Sequence, residues 1–212
     1  MRALPLADEF FLVGHDEYTG KPLISDGVLD TGLAGAVLGE LVLWGRLHVG
    51  DDSVVTVGDQ RPYGERVTDA ALAEVLKQRE AHPVRAWVEY LRDHSRMMVA
   101  PRLVRMGMIK RVQARVMLKQ TVRYPATDPF QAASPRVRLR YVFDHPDHLD
   151  EQTAVLAGLV RATALDYLVG GGSPRETKEG LGHMEQRLRP DLRSLIAGVD
   201  AAVAQVALGG RR

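Results

Sequence analysis

Asp30-Thr-Gly-Leu-Ala-Gly-Ala-Val-Leu-Gly-Glu-Leu-Val-Leu-Trp-Gly-Arg-Leu-His-Val49 is the stretch that decides the fold. Asp30 or Thr31 can cap a helix, because a short side-chain oxygen satisfies the free N–H groups of a first turn. Gly45 can end that helix in the left-handed conformation glycine adopts at least cost. Between them nearly every residue is apolar or small, and Glu40 is the one charge. A helix that is apolar all round is a buried one. Gly32, Gly35 and Gly39 hold no neighbour away, so other elements can approach its backbone closely. The stretch predicts the central helix of the fold, and the case for function has to come from elsewhere.

The rest of the chain reads as mainly α, a compact single-domain helical bundle over 5–209 with small β-hairpins. Leu6 to Val13 predicts a short helix with Leu6, Phe10, Phe11 and Val13 on a broad apolar face. Arg46–Val49 and Ser53–Val57 predict a hairpin around Gly50-Asp-Asp52. Thr68 is read as the cap of a helix reaching about Ala81, and Pro83 as the first turn of the next. A further basic helix leads to Gly107, and Met108 to Tyr124 predicts two strands. Asp128 to Pro135 is turn-rich, and Asp150 caps an apolar helix expected to run through Val169. Ser173-Pro-Arg-Glu176 has the form of a capping box, and the last helix spans about Pro190 to Leu208. No apolar run long enough to cross a bilayer is expected, and the acidic N-terminus is unlike a signal peptide. Helix, Gly, strand, turn, strand occurs twice, at 37–49 and at 102–112, which is the outline of a winged-helix unit.

The chain has 212 residues, no cysteine and a formal net charge of +1. Without cysteine there is no disulfide scaffold, thiol nucleophile or Cys-ligated metal, and a cytoplasmic setting fits. Arginine far outnumbers lysine, with abundant Ala and Gly, as in a GC-rich bacterial genome. The small net charge hides a segregation. Residues 92–140 carry 12 Lys and Arg against only Asp93 and Asp128, while the N-terminal 91 residues are acidic on balance. A block like this builds a local positive field and favours an anionic partner.

Catalytic signals are weak. His145-Pro-Asp-His148 is the one cluster resembling metal ligands, but it sits in a loop without helical spacing. Gly170-Gly-Gly-Ser173 lacks the lysine of a phosphate loop and reads as a helix stop and a cap. Asp8-Glu9 and Asp16-Glu17 read as surface charges, since adjacent residues on a helix do not face one another. No GxSxG elbow occurs. The expectation is a protein that is not an enzyme, with no metal, no cofactor and no small-molecule substrate. Arg92, Arg96, Arg102 and Arg105 are the candidate phosphate-binding residues, because the planar guanidinium grips phosphate oxygens bidentately. An anionic lipid surface and nucleic acid both suit them.

Leu6-Ala-Asp-Glu-Phe-Phe-Leu-Val-Gly14, Gly32-Leu-Ala-Gly35, Glu40-Leu-Val-Leu-Trp-Gly-Arg-Leu47 and Leu103-Val-Arg-Met-Gly-Met-Ile109 together resemble the Golgi phosphoprotein 3 family, as a bacterial member. The resemblance implies a helical domain without enzymatic activity that binds phosphatidylinositol 4-phosphate on a basic face as a peripheral membrane protein. It also implies self-association and membrane contact through the hairpin near Lys110–Tyr124. The family's ligand site uses a Trp before the central helix, an Arg in its Gly-Leu-Arg-Gly turn, and two arginines one helical turn apart. Those positions fall here on Ser25, Ala34, Asp93 and Arg96, so one of the four is retained. The leading expectation is a cytoplasmic protein, peripheral on the inner face of the membrane, binding anionic phospholipid through a basic face. The alternatives are a winged-helix DNA-binding protein and a soluble adaptor for proteins with acidic tails.

Overall fold

The computed structural model describes residues 4–116, 119–170 and 173–209. Its centre is helix α2, Asp26–Leu43, in which every residue from Thr31 to Val42 is buried. Around it pack α1 (Leu6–Val13), α3 (Arg66–Lys77), α4 (Val84–Arg105), α7 (Glu151–Ala162) and α9 (Pro190–Gly209). Strands β1 (Leu47–Val49), β2 (Val54–Val57) and β3 (His82–Pro83) form one small antiparallel sheet. Strands β4 (Val112–Val116) and β5 (Lys119–Arg123) form a separate hairpin, with Val112 opposite Arg123 and Arg115 opposite Gln120. Short α5 (Pro129–Ala132), α6 (Ser134–Asp144) and α8 (Pro174–Gln186) complete the shell. The mainly α bundle with small hairpins is the expected architecture.

The central helix is surrounded because its glycines allow it. A methyl group on Gly32 would lie 2.6 Å from Phe10 Cε1 and 2.8 Å from Thr163 Cγ2, both inside the core. α1 fills that space so completely that all eight of its residues are buried. The broad apolar face expected there is therefore the whole helix, Asp8 and Glu9 included.

The two helix–Gly–strand outlines close with the same hydrogen bonds. After α2, Gly45 N–H donates to Val42 O at 3.0 Å and Arg46 N–H to Leu41 O at 2.8 Å. After α4, Gly107 N–H donates to Val104 O and Met108 N–H to Leu103 O, both at 3.0 Å. Each is a Schellman closure, with φ of +67° at Gly45 and +72° at Gly107. The end of α7 repeats it with Ala164 in the glycine position at φ 57°, the Leu165 N–H reaching Val160 O at 2.9 Å.

Several expected boundaries move for local reasons. α2 begins four residues before Asp30, whose carboxylate is taken by Arg96 and caps nothing. α3 is capped by Glu65 and not Thr68, its carboxylate accepting from Val67 N and Thr68 N, and the helix stops at Lys77. The run from Val84 to Arg105 is one helix with Pro101 inside it, although its sequence reads as two. α7 ends at Ala162 and not Val169, and the segment from Pro129 to Asp144 is largely helical. The capping box at Ser173 is present. Contrary to expectation, α9 is long and apolar enough to cross a membrane by length and composition. Leu192, Leu195, Ile196, Val199 and Val203 instead face the core.

Two one-carbon changes should move stability in opposite directions. Gly32→Ala is expected to destabilise by about 1–3 kcal/mol through overpacking against Phe10. Ala164→Gly, exposed and left-handed, is expected to stabilise by about 0.5–1 kcal/mol. Chemical denaturation of the two variants checks both signs.

Candidate anion-binding face

The four arginines singled out by composition meet four different environments. Arg102 is 5% exposed and belongs to the interior. Its Nε donates to Asp8 Oδ1 at 2.8 Å, its Nη1 lies 2.6 Å from Glu65 Oε2, and its Nη2 is 3.4 Å from Glu40 Oε1. Asp8 and Glu9 are likewise not surface charges. Glu9 is buried and paired with Arg138 at 2.6 Å. Arg102 is thus corrected from a ligand residue to a structural one, since three carboxylates already enclose it.

Burial governs the protonation of this cluster. Glu40 is pushed up to about 7 and Asp8 to about 6, because loss of water outweighs the attraction of Arg102. Glu40 also accepts the Ala7 N–H at 2.7 Å, which ties the start of α1 to α2.

Arg96 is partly buried and held at 2.8 Å by both Asp26 and Asp30, clamping α4 to the first turns of α2. Burial raises the Asp30 carboxyl above its usual range. Arg92 lies 3.2 Å from Asp93. It opens onto a depression of about 630 Å³ whose lining also carries Asp30, Glu89 and Asp93. An anion there would face three carboxylates. Arg105 is exposed and lines a separate depression, of about 310 Å³, with Arg66, Met97, Met98 and Pro101. No single face collects the four. The helix that would enter a DNA groove has also turned three of these four arginines onto carboxylates.

Most of the cations of the basic block that have no ion-pair partner among the described residues gather further along. Arg136 and Arg138 pair with Glu17 and Glu9. Of the cations without such a partner, Arg105 is on α4 and Arg140 on α6, and Lys110, Arg111, Arg115 and Arg123 are on or beside the β4–β5 hairpin. At the root of the hairpin lies a cleft of about 570 Å³. Lys21, Arg96 and Arg123 bring three cations to its lining, beside Ser25, Thr121 and Tyr124, with Asp26 the one carboxylate among these residues. Gly20 makes this approach possible, with φ at +65° and its backbone against Tyr124 and Pro125, where a Cβ would collide. The Tyr124 N–H donates to Gly20 O at 3.1 Å and the Ala126 N–H to Glu17 O at 2.9 Å.

The family model described as Golgi phosphoprotein 3 (GPP34) matches residues 6–206. The chain belongs to the Golgi phosphoprotein 3 family. No curated protein matches it. Of the positions the resemblance marks as family ligands, Ser25 and Arg96 line the cleft described above. Ala34 is wholly buried within α2 and Asp93 is exposed beside Arg92. Within this family fold, cations from the 14–22 loop and from β5 stand where the cleft would otherwise have Arg96 alone. Lys21 and Arg123 escaped notice in sequence because they are 102 residues apart. The only local signal was Gly20 in a turn-rich loop. Among the described residues no group of side chains suits a metal ion, His145 and His148 included.

The buried cluster predicts an unusual pH dependence. A carboxyl whose folded pKa is raised contributes stability below its ordinary value, and that contribution is lost as the pH climbs through the folded value. For Glu40 the window runs from its usual 4.5 to about 7. Glu40→Gln should therefore gain stability relative to wild type as the pH is raised from about 5 to about 8. Burial holds His15 down at about 4, an opposing effect common to both proteins, so it cancels in the comparison. Parallel stability profiles would refute the assignment. Arg102→Met, which strands the carboxylates, should cost about 3–5 kcal/mol by denaturant titration.

Proposed function

We propose that the protein is a non-catalytic peripheral membrane protein that docks on anionic phospholipid through the β4–β5 hairpin and the Lys21–Arg96–Arg123 cleft. The observation that carries this reading is the distribution of cations. Much of the basic block is consumed by internal pairs, and most of those without an ion-pair partner among the described residues lie on or beside one hairpin and the cleft at its root, Arg105 and Arg140 being elsewhere. Family membership supports it. Cations near an anionic surface contribute about 1 kcal/mol each, and a cleft adds the directional grip on a phosphate that a flat patch lacks. A phosphorylated inositol headgroup is the ligand class favoured by the family resemblance, and a cytoplasmic membrane face is the setting it implies.

Arg96 enters this reading with a condition. Its guanidinium is already engaged by Asp26 and Asp30, so a headgroup phosphate must displace or share the exposed Asp26 carboxylate. Arg123 and Lys21, without ion-pair partners among the described residues, make first contact.

Co-sedimentation with vesicles tests the proposal. Binding is expected to vesicles containing phosphatidylserine or phosphatidylinositol 4-phosphate, and not to phosphatidylcholine alone. It should weaken as salt is raised. Replacing Lys21 and Arg123 together by alanine removes two contacts and should lower affinity roughly tenfold to thirtyfold. Equal binding to neutral vesicles, or binding to neither, refutes the reading.

A further inference from the structure

Phe130 has the most exposed large apolar side chain among the described residues, at 87%, and Tyr18 is 68% exposed. A scattered surface apolar residue needs no explanation, but these two lie on segments that are hydrogen-bonded to one another. Phe130 is the second residue of α5, where Asp128 Oδ1 accepts the Phe130 N–H at 2.9 Å and the Gln131 N–H at 3.3 Å. The ring is therefore presented by a capped turn. Tyr18 lies between Glu17 and Gly20, whose carbonyls accept the N–H groups of Ala126 and Tyr124. The carboxylate of Glu17 pairs with Arg136 of α6, the helix after Phe130. Phe130 follows Ala126 by four residues, at most about 14 Å of extended chain.

The strip that carries both rings is thus stitched to the edge of the basic cleft. Tyr124 and Lys21 belong to both, and Lys110 is fixed beside them by its N–H to Pro125 O at 2.9 Å. Lys21, Lys110, Arg111 and Arg123 have no ion-pair partner among the described residues. Exposed aromatic rings beside unpaired cations match the two layers of an anionic bilayer surface. Aromatic rings favour the boundary between headgroups and acyl chains, while the cations favour the phosphates just above.

We propose that Phe130 and Tyr18 are interfacial anchors, inserting into an anionic bilayer while the adjoining cleft engages headgroup phosphates. This rests on the lipid-docking reading above and adds to it a depth and an orientation. Charge alone would leave the protein free to rotate on the surface. Two rings held on one rigid strip fix which side faces the membrane.

The absence of cysteine makes the test clean, since Phe130→Cys provides a single labelling site. The label is the environment-sensitive fluorophore NBD, added to phosphatidylcholine vesicles with or without phosphatidylserine. Arg61→Cys serves as the reference, because Arg61 is exposed and its segment pairs through Asp59 with Arg46, beyond the far end of α2. That end is about 27 Å from the cleft, by the length of an 18-residue helix. The label at 130 should shift to the blue on phosphatidylserine vesicles and be quenched by lipids carrying a shallow nitroxide, while the label at 61 does neither. Unlabelled Phe130→Ala should bind those vesicles about tenfold more weakly, with unchanged salt dependence. A label at 130 that stays water-exposed while the protein sediments with vesicles overturns the anchors and leaves lipid docking standing. Absence of any vesicle binding overturns both. A blue shift without vesicles that grows with protein concentration assigns the strip to contact between two copies, and also overturns the proposal.

Discussion

Arg102 is the cation on which the arrangement of the first four helices depends. It reaches Asp8 of α1, Glu40 of α2 and Glu65 at the N-cap of α3 from its own place on α4. Burying a guanidinium costs several kcal/mol unless its hydrogens are matched, and burying three carboxylates costs more. Only one placement of α4 brings all of them together. A slip of one turn would leave charges in the core with no counter-ion. The cluster is thus better understood as a register device than as a source of net stability. The raised pKa of Glu40 and Asp8 expresses the same constraint, because one cation does not fully offset the burial of several acids.

That constraint also explains the segregation of charge along the chain. The acidic N-terminal stretch and the basic middle are two halves of one set of contacts. Asp8, Glu9, Glu17, Asp26 and Asp30 receive Arg102, Arg138, Arg136 and Arg96. A one-dimensional charge count cannot distinguish a field offered to a partner from one neutralised across the fold. What distinguishes them is burial and distance, which long-range folding determines. Lys110, Arg111, Arg115 and Arg123, on or beside the hairpin, escape this pairing among the described residues.

The fold was legible where local chemistry decides it. The apolar run with small residues at 32, 35 and 39 announced the central helix, and Gly45 and Gly107 announced two closures that the hydrogen bonds match atom for atom. The capping box at Ser173 was equally readable. Failures occurred where a side chain expected to act locally acts at long range. Asp30 was read as a cap and is an ion-pair partner of Arg96. Glu40 was the single charge in an apolar helix, and its partners lie 33 and 62 residues away. The change from the apolar Trp87–Leu91 turn to the basic stretch before Gly107 made one helix look like two.

The same distinction governs the candidate site. Ala34 occupies the turn where the family resemblance places an arginine, and it is enclosed by the core. The neighbouring Gly32 shows why that turn stays small: Phe10 and Thr163 press against it closely enough to exclude even a methyl group. With α1 packed so tightly on this part of α2, the positive charge of the cleft is carried by elements less constrained by packing. The loop before α2 and the last strand of the hairpin serve that purpose, and Gly20 lets the two backbones touch. Tight packing at the centre and displacement of charge to the rim are then linked. The rigid bundle fixes Arg96, and the more exposed loop and strand supply Lys21 and Arg123. A ligand phosphate at this rim would meet one cation already held by carboxylates and two that are not, which makes Asp26 the residue that sets how strongly Arg96 takes part.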